Sequence, residues 1–387
     1  MSNKKAVMYG AGNIGRGFIG QLFNRSGFDT AFIDVNPAVI EQLNTEKQYP
    51  IRILHGDTYD EVIVDRVSCV DGRDNSAIAK AIAEADVMAT AVGVNILKFI
   101  MKPLAEGIRL RFSAPDAKPL NIIICENLIG ADTYLKEGVA QYLEEDEKAY
   151  LDQVGFVEAS IGRMVPIQTP EMQGDNPLRV CVESYDQLPV DKAAFRGEMP
   201  EIVNMLPFSP FEFFIKRKLF LHNMGHALTA YLGCLKGYTY IYEAIENETI
   251  KKLVKETMDQ SAKALSTEYN VPIEELIDHV DDLIFHFGNR QLKDTVQRVG
   301  NDLNRKLNPN DRLVGPLLLE ESLGMDITPA CKAVAAALHF THDELSQKDH
   351  GELLREVAGL KESDRAYQMI LDFDKKLNAN PNPEALL

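Results

Sequence analysis

A glycine-rich turn near the start of the chain constrains the fold more than any other feature. It follows the apolar run 6–9, a predicted strand, and opens a predicted helix. In a G-x-G-x-x-G turn, the first glycine permits the bend, the second lets a pyrophosphate approach the backbone, and the third lets helix and strand pack closely. The pattern predicts a Rossmann-type, doubly wound α/β sheet. Its residues, all predicted to contact a dinucleotide, are Gly10, Ala11, Gly12, Asn13, Ile14 and Gly15.

Two further strand ends complete the predicted cofactor site. Asp34 ends the second predicted strand, where its carboxylate can accept hydrogen bonds from the adenosine ribose and repel the 2′-phosphate of NADP. No basic residue follows at 35–37, so the predicted cofactor is NAD. Thr90, Val92 and Gly93 lie at the end of another strand on the same edge, where we expect the nicotinamide half.

The pattern of secondary structure changes along the chain. Residues up to about 195 alternate strands and helices, with extra strands expected near 51–70, and form the predicted NAD-binding domain 1–195. Residues 196–387 are predicted to form a mainly α-helical domain for substrate binding and catalysis. Its long helical patterns are 212–232, 248–268, 273–286, 328–340 and 363–377.

Composition excludes several classes of function. The formal net charge is −17, which argues against binding to a nucleic-acid backbone. No stretch of 18 apolar residues occurs, and the N-terminus does not read as a signal peptide, so neither a membrane span nor secretion is expected. The five cysteines are scattered without a C-x-x-C pair, which predicts a reducing, cytoplasmic environment and no cysteine zinc site.

The candidate catalytic group lies on one predicted helix. At about 100° per residue, Lys218, Asn223 and His226 fall within about 140° of one another, so they share a face. Gly225 lies on the same face and is expected to leave space for a ligand. A lysine, an amide and an imidazole are an unusual polar set in a helix otherwise rich in Phe, Leu and Met.

Two other interpretations of this helix stay open. His222 and His226 are four residues apart, as metal ligands can be, but no third ligand occurs at a recognised spacing, so no metal is predicted. The basic residues of this segment could also form a solvated basic patch at the start of the helix, with no catalytic role.

Several motifs in a fixed order resemble the polyol-specific long-chain dehydrogenases, over essentially the whole chain. The resemblance is closest to the branch that acts on sugar phosphates. Besides the glycine turn and Asp34, the motifs are Cys125-Glu126-Asn127, Arg163-Met164-Val165-Pro166, the Lys218 helix and Asp311-Arg312-Leu313-Val314-Gly315-Pro316. Three positions depart from the family pattern: Gly162 stands where we expect Asp, Lys216 where we expect Glu, and 301–304 differ from a more basic stretch.

The resemblance implies a metal-independent hydride transfer between NAD and a polyol phosphate such as mannitol 1-phosphate. It makes Lys218 the general base, Asn127 and Asn223 donors to the alkoxide, and His226 the group that orients the substrate hydroxyl. It also implies a monomer. The expected phosphate ligands are Arg305, Lys306 and Arg312.

Three rival functions are considered beside this one. The nearest is a dehydrogenase of an unphosphorylated polyol or a hexuronate, with the same machinery and a different pocket. A non-catalytic, NAD-binding redox sensor would need a basic DNA-reading module, which the charge of −17 disfavours. An interaction subunit without activity is disfavoured because Lys218, Asn223 and His226 are all present.

Overall fold

Short buried strands form the framework of the first part of the chain. In the computed structural model, which describes residues 4–55, 58–128, 130–166, 168–290 and 293–387, the chain divides into two units, Met1–Glu212 and Phe213–Leu387. The division predicted near residue 195 falls in the loop-rich end of the first unit. The strands of the described residues are β1 Lys5–Tyr9, β2 Asp29–Asp34, β3 Gln48–His55, β4 Thr58–Asp65, β5 Val67–Asp71, β6 Val87–Thr90, β7 Leu120–Ile124, β8 Val154–Glu158, β9 Val180–Glu183, β10 Leu188–Asp191 and β11 Met205–Phe208.

Six of these strands form one parallel sheet in the order β5-β2-β1-β6-β7-β8. This is the strand order of a Rossmann fold, and the predicted fold class is confirmed. The order reverses between β1 and β6, where Met8 pairs with Phe32 on one side and Ala89 on the other. Ligands of such sheets bind beyond the carboxyl ends of the strands at this switch point, which is where β1 leads into the glycine turn.

The central strand β1 is buried on both faces. Ala6 and Met8 pack into one hydrophobic core, whereas Val7 and Tyr9 pack into the other. Successive side chains of a strand point to opposite faces, so β1 contributes to both cores and has to be apolar throughout.

Strands β3 and β4 form a hairpin separate from the main sheet. Strands β3 and β4 pair antiparallel, with Tyr49 opposite Val64, and β9 adds to β3 in parallel. These are the strands expected near 51–70, except that β5 belongs to the main sheet as its edge strand. Strands β10 and β11 form a two-stranded parallel pair.

Helices cover the sheet of the first unit. They are α1 Gly20–Arg25, α2 Pro37–Glu46, α3 Asn75–Glu84, α4 Val94–Phe112, α5 Ala131–Ala140 and α6 Pro170–Gln173, with short 3₁₀ segments at Lys148–Gln153 and Lys192–Ala194. A π-helical segment, Gly15–Ile19, precedes α1 without a break.

The second unit is helical. Its described helices are α7 Glu212–Arg217 (which starts one residue before the unit), α8 Met224–Lys236, α9 Ile241–Glu246, α10 Glu248–Tyr269, α11 Ile273–Phe287, α12 Val296–Gly300, α13 Leu303–Lys306, α14 Val314–Ser322, α15 Thr328–Leu338, α16 His350–Glu356 and α17 Arg365–Ala379, with 3₁₀ segments at Glu344–Gln347 and Pro383–Leu386. A π-helical segment, Lys218–Asn223, joins α7 to α8.

Helix α8 lies at the centre of this unit. It packs against α9, α10, α12 and α15, and its buried residues include Leu228, Ala230, Tyr231 and Leu232. Four of the five long helices predicted from sequence are confirmed with ends shifted by a few residues, and the fifth, 212–232, is observed as α7, the π-helical segment and α8. The short helices α9, α12, α13, α14 and α16 were not predicted. Among the described residues, no helix has the length and apolar character needed to cross a bilayer.

Candidate functional site

The glycine turn has the geometry that a dinucleotide site requires. Gly10 has φ +104°, a conformation that L side chains rarely adopt, and a Cβ on Gly15 would collide with the carbonyl oxygen of Gly10. A Cβ on Gly12, in contrast, would meet nothing within 4 Å. The turn is therefore tightly packed at Gly10 and Gly15 and open at Gly12, where a pyrophosphate can approach the backbone.

Asp34 supports this turn as well as ending β2. Its Oδ2 accepts a hydrogen bond from the Ala11 N–H at 2.8 Å, and its Oδ1 accepts one from the Asn36 N–H at 2.9 Å. The Ala11 carbonyl accepts a hydrogen bond from Nε of the buried Arg16 at 2.7 Å. Each carboxylate oxygen has a second lone pair, so Asp34 can hold the turn and still accept from a ribose hydroxyl.

The end of β6 is organised by the Glu126 carboxylate, which was not among the predicted site residues. The N–H groups of Val92 and Gly93 each donate to Glu126, at 2.8 Å. Burial raises the pKa of Glu126, while these hydrogen bonds oppose the shift. Thr90 is fully buried, and Asn127 is exposed in the bend after β7. The sequence signal for Glu126 was the Cys125-Glu126-Asn127 motif, of which only the asparagine was selected.

The Arg163 motif serves the fold. Arg163 is 3% exposed and donates to the Gly17 carbonyl at 3.0 Å and to the Gln21 side chain at 2.6 Å. Both acceptors lie on the helical segment that follows the glycine turn. A Cβ on Gly162, one of the departures from the family pattern, would come within 2.8 Å of the Tyr185 ring.

In the second unit, the predicted catalytic helix is not a regular α-helix. Lys218–Asn223 is a π-helical turn, and the Met224 N–H donates to the Leu219 carbonyl five residues earlier. Residues five apart are separated by about 140° in an α-helix but come close to the same face in an i→i+5 turn. The π turn therefore places Lys218 and Asn223 nearer to one face than the 140° separation predicted for a regular α-helix.

The predicted role of Gly225 is wrong. Gly225 is buried, and a Cβ there would collide with Sδ of Met258 on α10. The glycine permits close packing of α8 on α10 and does not open space for a ligand.

Burial and neighbouring charges determine the protonation states of the lysine and histidine side chains on this helix. Burial, followed by the positive charge of Arg312, lowers the pKa of Lys218. Burial is also the largest cause that lowers the pKa values of His222 and His226, each to about 3. Both imidazoles are therefore neutral at pH 7, and Lys218 loses its proton more easily than an ordinary lysine.

His226 has a fixed orientation. Its ring stacks on Phe287 with centroids 5.1 Å apart and planes 11° apart. Its Nε2 lies 3.5 Å from the Asp294 carboxylate. His222 contacts the same Phe287 ring, with centroids 5.9 Å apart, and its own ring centroid lies 6.1 Å from that of His226, so the three rings form one cluster.

A small pocket brings most of the predicted second-unit site together. It has a volume of about 160 Å³, which suits a small charged group better than a whole polyol. We call it the cationic pocket. It is lined by Asn223, His226, Ala227, Arg298, Val299, Arg305, Lys306 and Arg312.

Carboxylates hold two of the predicted phosphate ligands in place. Arg305 pairs with Asp302 at 3.0 Å, and Arg312 pairs with Asp311 at 2.7 Å. These carboxylates do not line the cationic pocket. The pairing orients each guanidinium and leaves part of its donor set for a ligand.

The other two cations of the pocket differ from each other. Lys306 is buried and donates to the carbonyl oxygens of Val299 and Asn301, and burial followed by Arg312 and Arg305 lowers its pKa to about 8. Arg298 is exposed and pairs with Asp294. Arg298 was not predicted from the sequence because it belongs to no recognised motif; its place four residues after Asp294 was the available signal.

Family models match both parts of this chain. Residues 4–204 match the mannitol dehydrogenase Rossmann domain, and residues 211–367 match the mannitol dehydrogenase C-terminal domain. The chain belongs to the mannitol dehydrogenase family. It is an NAD-dependent oxidoreductase, which confirms the cofactor predicted from the glycine turn.

Solved structures share the fold across nearly the whole chain. A D-sorbitol dehydrogenase in substrate-free form is 14% identical, with a TM-score of 0.81 and coverage of 99% of this chain and 94% of that one. A Pseudomonas fluorescens mannitol 2-dehydrogenase, in a ternary complex with NAD and D-mannitol, is 15% identical, with a TM-score of 0.71 and coverage of 100% and 94%.

The electrostatics of the helix predict the titration of Lys218. The pH at which half of the Lys218 amine is deprotonated and reactive should lie below 10.5, the ordinary pKa of lysine, because burial disfavours the ammonium form. Removing a like charge relieves repulsion, so Arg312→Gln should raise that pH. The measurement is competitive acylation across pH, read by mass spectrometry of the peptide that contains Lys218.

The control for this titration is Arg290→Gln, which removes an exposed arginine paired with Glu246 outside the cationic pocket. It should leave the titration of Lys218 unchanged. A half-reaction pH at or above 10.5, or one that Arg290→Gln moves as far as Arg312→Gln does, would contradict the account.

Proposed function

We propose that this chain catalyses the NAD-dependent, reversible oxidation of D-mannitol 1-phosphate to D-fructose 6-phosphate, the reaction of a mannitol-1-phosphate 5-dehydrogenase. The observation that carries the proposal is the cationic pocket, which places three arginines and a lysine beside Asn223 and His226. A strongly acidic chain has to attract an anionic substrate through a local cluster of cations. Guanidinium groups match the geometry of a phosphate.

The first unit is proposed to hold the cofactor. The open backbone at Gly12 receives the pyrophosphate, and Asp34 accepts from the ribose hydroxyls. Thr90, Val92 and Gly93 are proposed to form the edge beside the nicotinamide. Bound NAD supplies the acceptor for the hydride that leaves C5 of the substrate.

The second unit is proposed to move the proton. In its neutral form, Lys218 takes the proton of the C5 hydroxyl, for which a lowered pKa is suited. The Asn223 amide donates to the oxygen as it becomes an alkoxide, and the neutral His226, fixed on Phe287, orients the hydroxyl. Asn127 of the first unit is proposed as a second amide donor.

The remaining proposals concern the setting of the reaction. We propose a monomeric enzyme of the cytoplasm. All five cysteines are free, and four of them are buried, which suits a reducing compartment.

One observation favours a second candidate, a dehydrogenase of an unphosphorylated polyol or a hexuronate. Arg298, Arg305 and Arg312 each already pair with a carboxylate, which reduces the positive charge available to a dianion. Guanidinium groups held in this way can also bind hydroxyls or a single sugar carboxylate.

Substrate comparison tests the proposal. The wild-type protein should oxidise mannitol 1-phosphate with a kcat/KM at least about a hundredfold above that for mannitol, because two charge-assisted contacts of about 1.5 kcal/mol each favour the phosphate. NADH absorbance measures both reactions, and fructuronate reduction is measured in parallel. Equal or faster turnover of mannitol or fructuronate would establish the second candidate instead.

A pocket variant locates the source of that preference. Arg305→Gln should raise KM for mannitol 1-phosphate about tenfold to a hundredfold, the cost of one charge-assisted hydrogen bond, with kcat within about threefold. Arg290→Gln, outside the pocket, is the matched control and should change neither constant. An equal effect of Arg305→Gln on mannitol and its phosphate would contradict phosphate binding at this position.

The proposed role of Asp34 makes a prediction about the cofactor. NAD should be preferred to NADP, and Asp34→Asn should narrow the preference by removing the charge that repels a 2′-phosphate. Asparagine is the informative replacement because its one amide oxygen can still accept from the Ala11 N–H and only the contact with the Asn36 N–H is lost, whereas alanine loses both contacts. The measurement is kcat/KM for both cofactors. If the ratio of kcat/KM for NAD to that for NADP is unchanged in a folded Asp34→Asn protein, Asp34 does not determine the choice of cofactor.

A further inference from the structure

Three side chains far apart in sequence meet in the second unit. His339 follows the end of α15, His350 is the first residue of α16, and Asp374 lies on α17. Nε2 of His339 lies 2.8 Å from Oδ1 of Asp374, and Nδ1 of His350 lies 2.7 Å from the same oxygen. Within the described residues, this is the group of three possible metal ligands whose ligand atoms all lie within 4.8 Å of one another.

The group is partly shielded from solvent and has an unusual charge arrangement. The side chains of His339, His350 and Asp374 are 12%, 22% and 11% exposed. One carboxylate faces two imidazoles, and these contacts hold the pKa of Asp374 well below its usual range, although burial opposes the shift. The other oxygen, Oδ2, accepts a hydrogen bond from the Asn378 amide at 3.2 Å, which fixes the carboxylate plane.

We propose that His339, His350 and Asp374 bind a divalent transition-metal ion of the Zn²⁺ type. Two imidazoles and one carboxylate are a common ligand set for Zn²⁺, with bonds of about 2.0–2.2 Å. Tetrahedral ligands at that bond length are about 3.3 Å apart, so the two nitrogen–oxygen separations, now 2.8 and 2.7 Å, would each lengthen by about half an ångström. Each ring nitrogen that now faces Asp374 gives its lone pair to the ion, and its proton moves to the other ring nitrogen or to solvent.

The residues around the three ligands provide access for water and a hydrogen-bond partner for the carboxylate. A cavity of about 450 Å³, lined in part by His350, Asp374, Tyr367 and Asn378, opens beside the group and admits water to the remaining coordination positions. Asn378 is the outer partner that orients the carboxylate. The ion would join the ends of α15 and α16 to α17, which makes the site structural, and none of its ligands belongs to the machinery proposed around Lys218.

The sequence did not reveal this group. Spacings of 11 and 24 residues (339 to 350 and 350 to 374) match no recognised metal motif, and the three residues come together only when α15, α16 and α17 pack. The residues proposed to carry catalysis are independent of it, so loss of the metal should not abolish turnover.

Titration of the full-length protein tests the site. After dialysis against EDTA and then metal-free buffer, ZnCl₂ is added in a calorimeter, and the unfolding temperature is measured with and without Zn²⁺. We expect one Zn²⁺ per chain and a higher unfolding temperature, because a ligand that binds the folded state stabilises it. Co²⁺ should give a visible absorption band from its coordination. Turnover should survive the EDTA treatment.

Variants assign the binding to these residues. Asp374→Asn and His350→Gln should each weaken Zn²⁺ binding by about a hundredfold or more, and Asn378→Ala by about tenfold or more, as for outer partners of other metal sites. His55→Gln, which alters an exposed histidine 3.2 Å from Asp60 on the hairpin, is the matched control and should leave binding unchanged. Circular dichroism checks that each variant folds, and Asn378→Ala decides the matter if both ligand variants unfold.

Two outcomes would overturn the site. One is the absence of saturable Zn²⁺ binding by the EDTA-treated protein. The other is binding that His55→Gln weakens as much as His350→Gln does, which would show adventitious binding to surface histidines. Neither outcome bears on substrate choice, which the kinetics of mannitol 1-phosphate decide separately.

Discussion

Burial of the Lys218 amine in an interrupted helix is the constraint on which the proposed chemistry depends. The interruption is the π turn Lys218–Asn223, which brings a cation and an amide to one face. Partial burial and the charge of Arg312 then favour the neutral amine. A regular α-helix would separate Lys218 and Asn223 by about 140°, so a base and a donor for one substrate oxygen would diverge. The close packing of Gly225 on Met258 anchors the following turn.

Charge is distributed very unevenly in this protein. The net charge of −17 disfavours the binding of anions to the protein as a whole. The cationic pocket, in contrast, is lined by Arg298, Arg305, Lys306 and Arg312. Carboxylates hold the three guanidiniums in fixed orientations, and backbone carbonyls hold the Lys306 ammonium. Such prearranged donors bind an anion with little loss of side-chain freedom.

The sequence predicted the parts of this structure that depend on local pattern. The glycine turn, the parallel sheet and four of the five long helices follow from glycine positions and apolar periodicity. It did not predict the π turn. It also did not predict the role of Gly225, which depends on the packing of α8 on α10. Arg298, Glu126 and the His339 group were missed for a related reason. The place of Arg298 in the cationic pocket, the contacts of Glu126 with the end of β6 and the meeting of the three side chains of the His339 group are all set by tertiary contacts.

The measurement that tests the central claim most directly is the turnover of Lys218→Ala. Loss of a general base should lower kcat by about 10²–10⁴-fold, while NAD affinity, which depends on the glycine turn of the other unit, stays nearly unchanged. An added primary amine should restore part of the rate. Lys216→Ala, which removes another lysine of the same helix, is the control and should retain most of the activity. A folded Lys218→Ala protein that binds NADH and oxidises mannitol 1-phosphate within about threefold of the wild-type rate would contradict the account, because no effect of general-base size would remain for that lysine.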